Sequence, residues 1–167
     1  AFSPYLVEHI PQEEMQKQVI ANIQQEDLRD CVAAAHLKYC TDHKLLGAKE
    51  FAIQFMCRED GKGYRYCALH YISEMYGAET IINEVVPLCE DDDSLRAVAT
   101  YVPVGLEASM LDEKLDAAYE RNPSRQWMEI LIKRNHPNAL EQYIQEAEEK
   151  NTLPDMTNGI EVASLTR

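Results

Sequence analysis

The spacing of helix breakers constrains this chain more than any other feature. Ala, Glu, Gln, Leu and Met are common, and apolar–polar alternation is almost absent, so the stretches between breakers favour helix over strand. Seven prolines and six glycines cut those stretches short. Ser3-Pro4 opens one helix, and Pro11 opens a second over 12–24. Residues 26–41 place Leu28, Cys31, Val32, Ala35, Leu37 and Tyr39 at mixed three- and four-residue spacing, a wide apolar face. Gly47 precedes a helix with Phe51 and Phe55 on one ridge and Ile53 and Met56 on the next. Gly61-Lys62-Gly63 is a turn, and the helix 64–76 stops at Gly77, a position suited to a left-handed cap.

The second half follows the same logic. Residues 78–88 are apolar at Ile81, Ile82, Val85 and Val86 and close at Pro87. The run Glu90, Asp91, Asp92, Asp93 leads into a helix over 95–102, where carboxylates suit the positive end of the helix dipole. Pro103 and Gly105 interrupt before 106–119, Ser124 caps 125–134, and Pro137 starts 138–150. The pattern predicts about ten to eleven helices of two to four turns. The expected fold class is all-α.

Charge narrows the function classes. Of 167 residues, 16 are Lys or Arg and 29 are Asp or Glu, a formal charge of −13. The excess is spread out: residues 1–84 carry 13 acids and 8 bases, and residues 85–167 carry 16 and 8. Neither half is a basic platform, so direct nucleic-acid binding by this chain is not expected. No apolar run approaches the ~20 residues that span a bilayer, and the opening AFSPYLVEHI lacks the charged and apolar regions of a signal peptide. Ala1 is not an initiator Met, which reads as a processed chain or an excised fragment, and 158–167 reads as a linker. Cys31, Cys40, Cys57, Cys67 and Cys89 are odd in number and contain no CxxC pair, the usage of free thiols in a reducing, cytoplasmic compartment.

Catalytic and cofactor motifs are absent: no glycine-rich dinucleotide or P-loop fingerprint, no GxSxG, no HExxH and no EF-hand ligand ladder. Cys40-x2-His43 and Cys67-x2-His70 each put a thiol and an imidazole on one helical face, and four such groups make a closed zinc site. Small buried cysteines beside ordinary surface histidines give the same pattern, and no metal or cofactor is assigned. His9, His36 and His136 have no partner at catalytic spacing. Asp91, Asp92 and Asp93 fit a solvated helix start or a partner contact. Tyr64, Tyr66, Tyr71 and Tyr76, with Phe51 and Phe55, fit either core or an exposed recognition surface, and Trp127 fits a core anchor.

Two stretches look related to each other and to a known family. One runs from Gly47 through Phe51 and Phe55, over the polar connection 58–63, to Tyr66, Leu69 and Gly77, with Ile81 and Ile82 resuming the apolar pattern. The other runs from Leu115 over the Asn122-Pro123-Ser124 turn to Trp127, Ile130, Leu131, the 136–138 break, Leu140 and Ile144. The intervals from Tyr66 to Gly77 and from Trp127 to Asn138 are equal. The pattern resembles the latter half of a caspase-recruitment domain from a RIG-I-like helicase. It departs from that family where Tyr66 stands for the usual Trp and Met128 for the Phe after Trp127.

The resemblance implies two short antiparallel six-helix bundles in tandem, over 1–89 and 90–157, with the junction helix 78–88 shared. It implies a non-catalytic interaction region of a RIG-I-like or Dicer-related helicase, with RNA binding and ATP hydrolysis in a portion outside this chain. Such domains associate through complementary charged patches. The basic candidates are Arg58, Lys62 and Arg65 around the glycine turn, and Lys133 with Arg134; the acidic ones are Glu90, Asp91, Asp92 and Asp93. The expected partner is another protein or a second copy, not a membrane. Other all-α scaffolds remain open, among them a helical repeat or a complex subunit. A solenoid needs a repeat of ~34–47 residues, whereas the pairing of Tyr66 with Trp127 lies at 61.

Overall fold

The computed structural model describes residues 11–24, 29–58, 62–137 and 139–149, and every regular element among them is helical. The all-α expectation holds. The helix at Ser3-Pro4, the start of the 26–41 segment, Gly61 and the linker 158–167 lie outside the described residues.

Helix α1, Gln12–Ile23, starts where Pro11 fixes the backbone, and the Pro11 carbonyl accepts the N–H groups of Glu14 and Met15 at 3.0 Å each. It buries Met15, Val19 and Ile23. Helix α2, Asp30–Asp42, buries Ala33, Ala34, Leu37 and Cys40, and α3, Lys49–Met56, buries Ala52, Phe55 and Met56. After a short 3-10 turn, Lys62–Tyr64, helix α4 covers Arg65–Tyr76 and packs on both α2 and α3. It ends at Gly77, whose φ of 85° and ψ of 166° differ from the expected left-handed cap. This region of backbone space is open to glycine alone, so Gly77 is required more strictly than that cap would require it.

Residues 78–88 form α5, a composite of an α turn (Ala78–Thr80), a π segment (Ile81–Val85) and a 3-10 turn (Val86–Leu88). Pro87 has no N–H to continue an α ladder, and the final turn tightens accordingly. Helix α6, Asp92–Tyr101, begins three positions before the expected 95.

The chain divides into two compact units, Ala1–Tyr101 and Val102–Arg167. This moves the junction from the one expected after Cys89. Helix α6 belongs to the first unit because Leu95, Ala97 and Val98 are buried and the helix packs on α4. Helix α5 likewise lies within the first unit.

The second unit comprises α7, Ser109–Arg121, α8, Arg125–Lys133, and α9, Ala139–Glu149. Ser124 caps α8 as expected, its hydroxyl accepting the Trp127 N–H at 3.4 Å. Trp127, Met128, Leu131 and Ile132 of α8 meet Leu111, Leu115 and Ala118 of α7 to form the core of this unit. Its described part holds three helices.

Candidate interaction surface

Arg65 opens α4 and is only 2% exposed. Its Nη1 and Nη2 donate to the two carboxylate oxygens of Asp91 at 2.8 and 3.2 Å. Asp91 also accepts the Ser94 N–H at 3.0 Å, while its own carbonyl accepts the Ser94 hydroxyl at 2.8 Å, so it caps α6. Burial works against the Asp91 carboxylate. The hydrogen bonds from Arg65 and Ser94, with the guanidinium charge, outweigh that and hold its pKa down to about 2. Two residues expected to face partners from opposite patches therefore bind each other. A bidentate pair at a helix start is a fold contact.

The other candidates divide similarly. Arg58 pairs with Asp30 at 3.6 Å, and its guanidinium lies over the Phe51 and Phe55 rings at 5.6 and 5.5 Å. The Lys62 side chain lies outside the described residues. Arg134, 6% exposed at its side chain, donates from Nε to Asp112 at 2.8 Å and from Nη1 to the Val102 carbonyl at 3.2 Å. Its neighbour Lys133 is exposed, as are Glu90 and Asp93, while Asp92 is half-buried. Of the basic residues expected at the glycine turn, Arg65 is drawn inward by Asp91 and Arg58 is half-buried beside Asp30, carboxylates distant in sequence.

The Cys/His pairs do not converge. Cys40 is buried, and burial pushes its thiol up to about 11, away from the thiolate a metal needs. His43 is exposed and lies against Tyr39, while the His70 ring lies beside Tyr101. Among the described residues no group of three or more His, Cys, Asp or Glu side chains is arranged to hold a metal ion. All five cysteines are free.

The aromatic cluster splits in two. Tyr71 is buried, donates to the Leu45 carbonyl at 2.8 Å and accepts the Ala48 N–H at 3.2 Å. Burial, and then its contact with Tyr76, pushes the Tyr71 phenol up. Tyr76 in turn accepts the Gly47 N–H at 3.3 Å. These two tyrosines pin the 45–48 loop from below. Tyr64 and Tyr66 are exposed instead, so core and surface readings are each right for part of the cluster.

That pinned loop forms one bank of a feature the sequence reading missed. A shallow cavity of about 490 Å3 lies between α1 and the segment after α2. Ile20, Ala21, Leu45 and Leu46 make its apolar surface, with Lys17 and Lys44 among the residues lining it. Leu46 is 62% exposed. Gly47 takes φ 112°, a conformation that favours glycine, and a Cβ added there would lie 3.7 Å from the Ile20 side chain. The signal available beforehand was Ile20, an isoleucine one position outside the Met15–Val19–Ile23 stripe.

The last helix carries the second such surface. The stripe Leu140, Tyr143, Ile144 and Ala147 is present as expected, but only Ala139 of α9 is fully buried. Leu140 and Ile144 are 39% and 45% exposed. Glu146 accepts the Tyr119 hydroxyl at 2.8 Å, which turns one edge of α9 toward α7 and leaves the Leu140–Ile144 edge outward.

Comparison with protein families, curated proteins and solved structures returns no match to the chain. Among the described residues no helix is long and apolar enough to cross a membrane.

Proposed function

We propose that the chain is a non-catalytic protein–protein interaction module, the tandem caspase-recruitment-like region of a cytoplasmic helicase in nucleic-acid sensing or a small-RNA pathway. The fate of the charged and apolar groups carries this reading. Arg65, Asp91 and Arg134 are engaged inside their own units, while Leu46, Leu140 and Ile144 stand at the surface beside lysines or carboxylates. Catalytic sites have the converse arrangement, with polar groups converging in an enclosed cavity. The charge of −13 supports the same division of labour, since a phosphate backbone is repelled by this surface. RNA binding and ATP hydrolysis then fall to a helicase portion.

A second reading, an all-α adaptor outside the death fold, is favoured by the three helices in the described part of the second unit. Both readings make the chain a protein binder. The test is proximity labelling from the full-length protein in its own cells, followed by direct binding of each recovered protein to the purified chain. A recovered caspase-recruitment domain that binds supports the helicase reading, and recovered partners of other folds support the adaptor. Binding of double-stranded RNA at physiological salt, or ATP hydrolysis, by the chain alone overturns both.

A further inference from the structure

The two exposed apolar strips described above are opposite in charge. Both arise in the same way: each helix has an apolar stripe wider than the face it buries. On α1, Ile20 and Ala21 lie beside the buried Met15–Val19–Ile23 line, and Lys17 lines the same groove. Lys44, at φ 53°, turns the chain at the end of α2 and brings a second ammonium to the groove. Neither lysine has a carboxylate partner among the described residues.

On α9 the exposed pair Leu140 and Ile144 is one helical turn apart. Glu141 and Glu148 fall beside it, three residues before and four after Ile144, and both are exposed. Helix α9 holds four glutamates and no Lys or Arg. Thus a groove with two lysines and a ridge with two glutamates are present on one polypeptide. Each has an aliphatic centre, and the cavity has room for two branched aliphatic side chains.

We propose that the ridge Leu140–Ile144 of one copy docks in the groove between Lys17 and Lys44 of a second copy. This deepens the interaction reading above and rests on it, by naming the partner and the surface. The alternative pairing of ridge with ridge is disfavoured, because Glu141 and Glu148 of two copies would confront each other. Groove with groove sets Lys17 and Lys44 against their like. Groove with ridge joins different surfaces, so the contact is head-to-tail, and an open assembly keeps one free groove at one end and one free ridge at the other. Assembly therefore grows with concentration and weakens with salt, since exposed charges set its specificity.

The experiment is sedimentation velocity on the full 167-residue chain over a range of concentrations. The wild-type chain should shift from monomer to dimer and larger species. The pair K17E/K44E and the pair E141K/E148K should each weaken association by more than about tenfold. These are exposed positions, and unchanged circular dichroism melts verify that the variants fold. An equimolar mixture of the two charge-reversed chains should associate again, because each groove then faces a ridge of opposite sign. A wild-type chain that stays monomeric at every concentration overturns the docking, as does association unchanged in both variants or not restored on mixing. Failure of the interaction reading looks different: the chain would bind RNA or turn over ATP.

Discussion

Helices α4 and α9 have opposite fates, and their sequences would have suggested the reverse. Helix α9 has the tidier stripe, with Leu140, Tyr143, Ile144 and Ala147 on one side and polar residues flanking and facing away from it. It nonetheless packs mainly on α8 and leaves half of that stripe in water. Helix α4 is less cleanly two-faced, yet it buries Arg65, Ala68, Leu69, Tyr71 and Ile72 against α2, α3 and α6. A helix surrounded on several sides needs apolar groups around most of its circumference, and its polar groups need internal partners. A sharply amphipathic helix is suited to a single neighbour. Where its stripe is wider than that neighbour's face, the remainder is available for docking.

The strongest way to break this comparison is at the two cores. Trp127→Ala removes the largest fully buried side chain of the second unit and should cost about 3–5 kcal/mol in urea unfolding. Hydrogen exchange should show protection lost in α7–α9 and retained in α4. Equal loss in both would mean that the two units unfold as one, and the contrast between a surrounded helix and a one-sided helix would then carry no energetic meaning.

A smaller effect is expected at Arg65. Arg65→Ala removes a bidentate contact to a carboxylate whose side chain is 46% exposed, so the loss is about 2 kcal/mol, less than for a wholly buried pair. The acid dependence sharpens this. The Asp91 pKa in the fold, about 2, lies below its ordinary 3.8, so its contribution is fully present above 3.8 and is lost as pH falls through about 2. In Arg65→Ala that acid limb should be shallower in chemical unfolding between those pH values. An identical limb in the variant would show that capping of α6, not the ion pair, sets the Asp91 titration.

What could be read from the sequence follows from interaction range. Pro11, Gly77 and Ser124 mark helix ends through their own backbones or through bonds within three residues, and each stands at an observed helix end. The partners of Arg65 and Arg134 lie 26 and 22 positions away, so nothing local distinguishes them from surface cations. Capping by Asp91 also explains why α6 begins at 92, and the packing of α6 on α4 is why the junction falls after Tyr101. The apparent equivalence of Tyr66 and Trp127 fails for the same reason. Tyr66 is 49% exposed beside Tyr101, whereas Trp127 is fully buried in the core of the second unit. The groove between Lys17 and Lys44 depends on Tyr71 and Tyr76 pinning a loop more than two dozen residues away, a relation no periodicity encodes.

Ser124 gives a more modest, local test. Ser124→Ala leaves the Trp127 N–H without its side-chain acceptor and should cost about 1 kcal/mol in thermal or urea unfolding. Ser124→Asp should recover most of that loss by capping and by its charge at the helix start. No recovery would mean that the tryptophan, not the cap, positions α8.

The smallest expected effect falls on α9 itself. If Leu140 and Ile144 serve docking and not the fold, replacing both with Gln should change unfolding free energy by no more than about 0.5 kcal/mol. The same pair of changes at Leu69 and Ile72, which are fully buried in α4, should prevent folding, because two amide groups would enter the core unpaired. A marked loss of stability from the α9 changes would show that the stripe is covered within the folded chain. The one-sided helix would then differ from the surrounded one in degree only, and the apolar ridge would no longer be available to a partner.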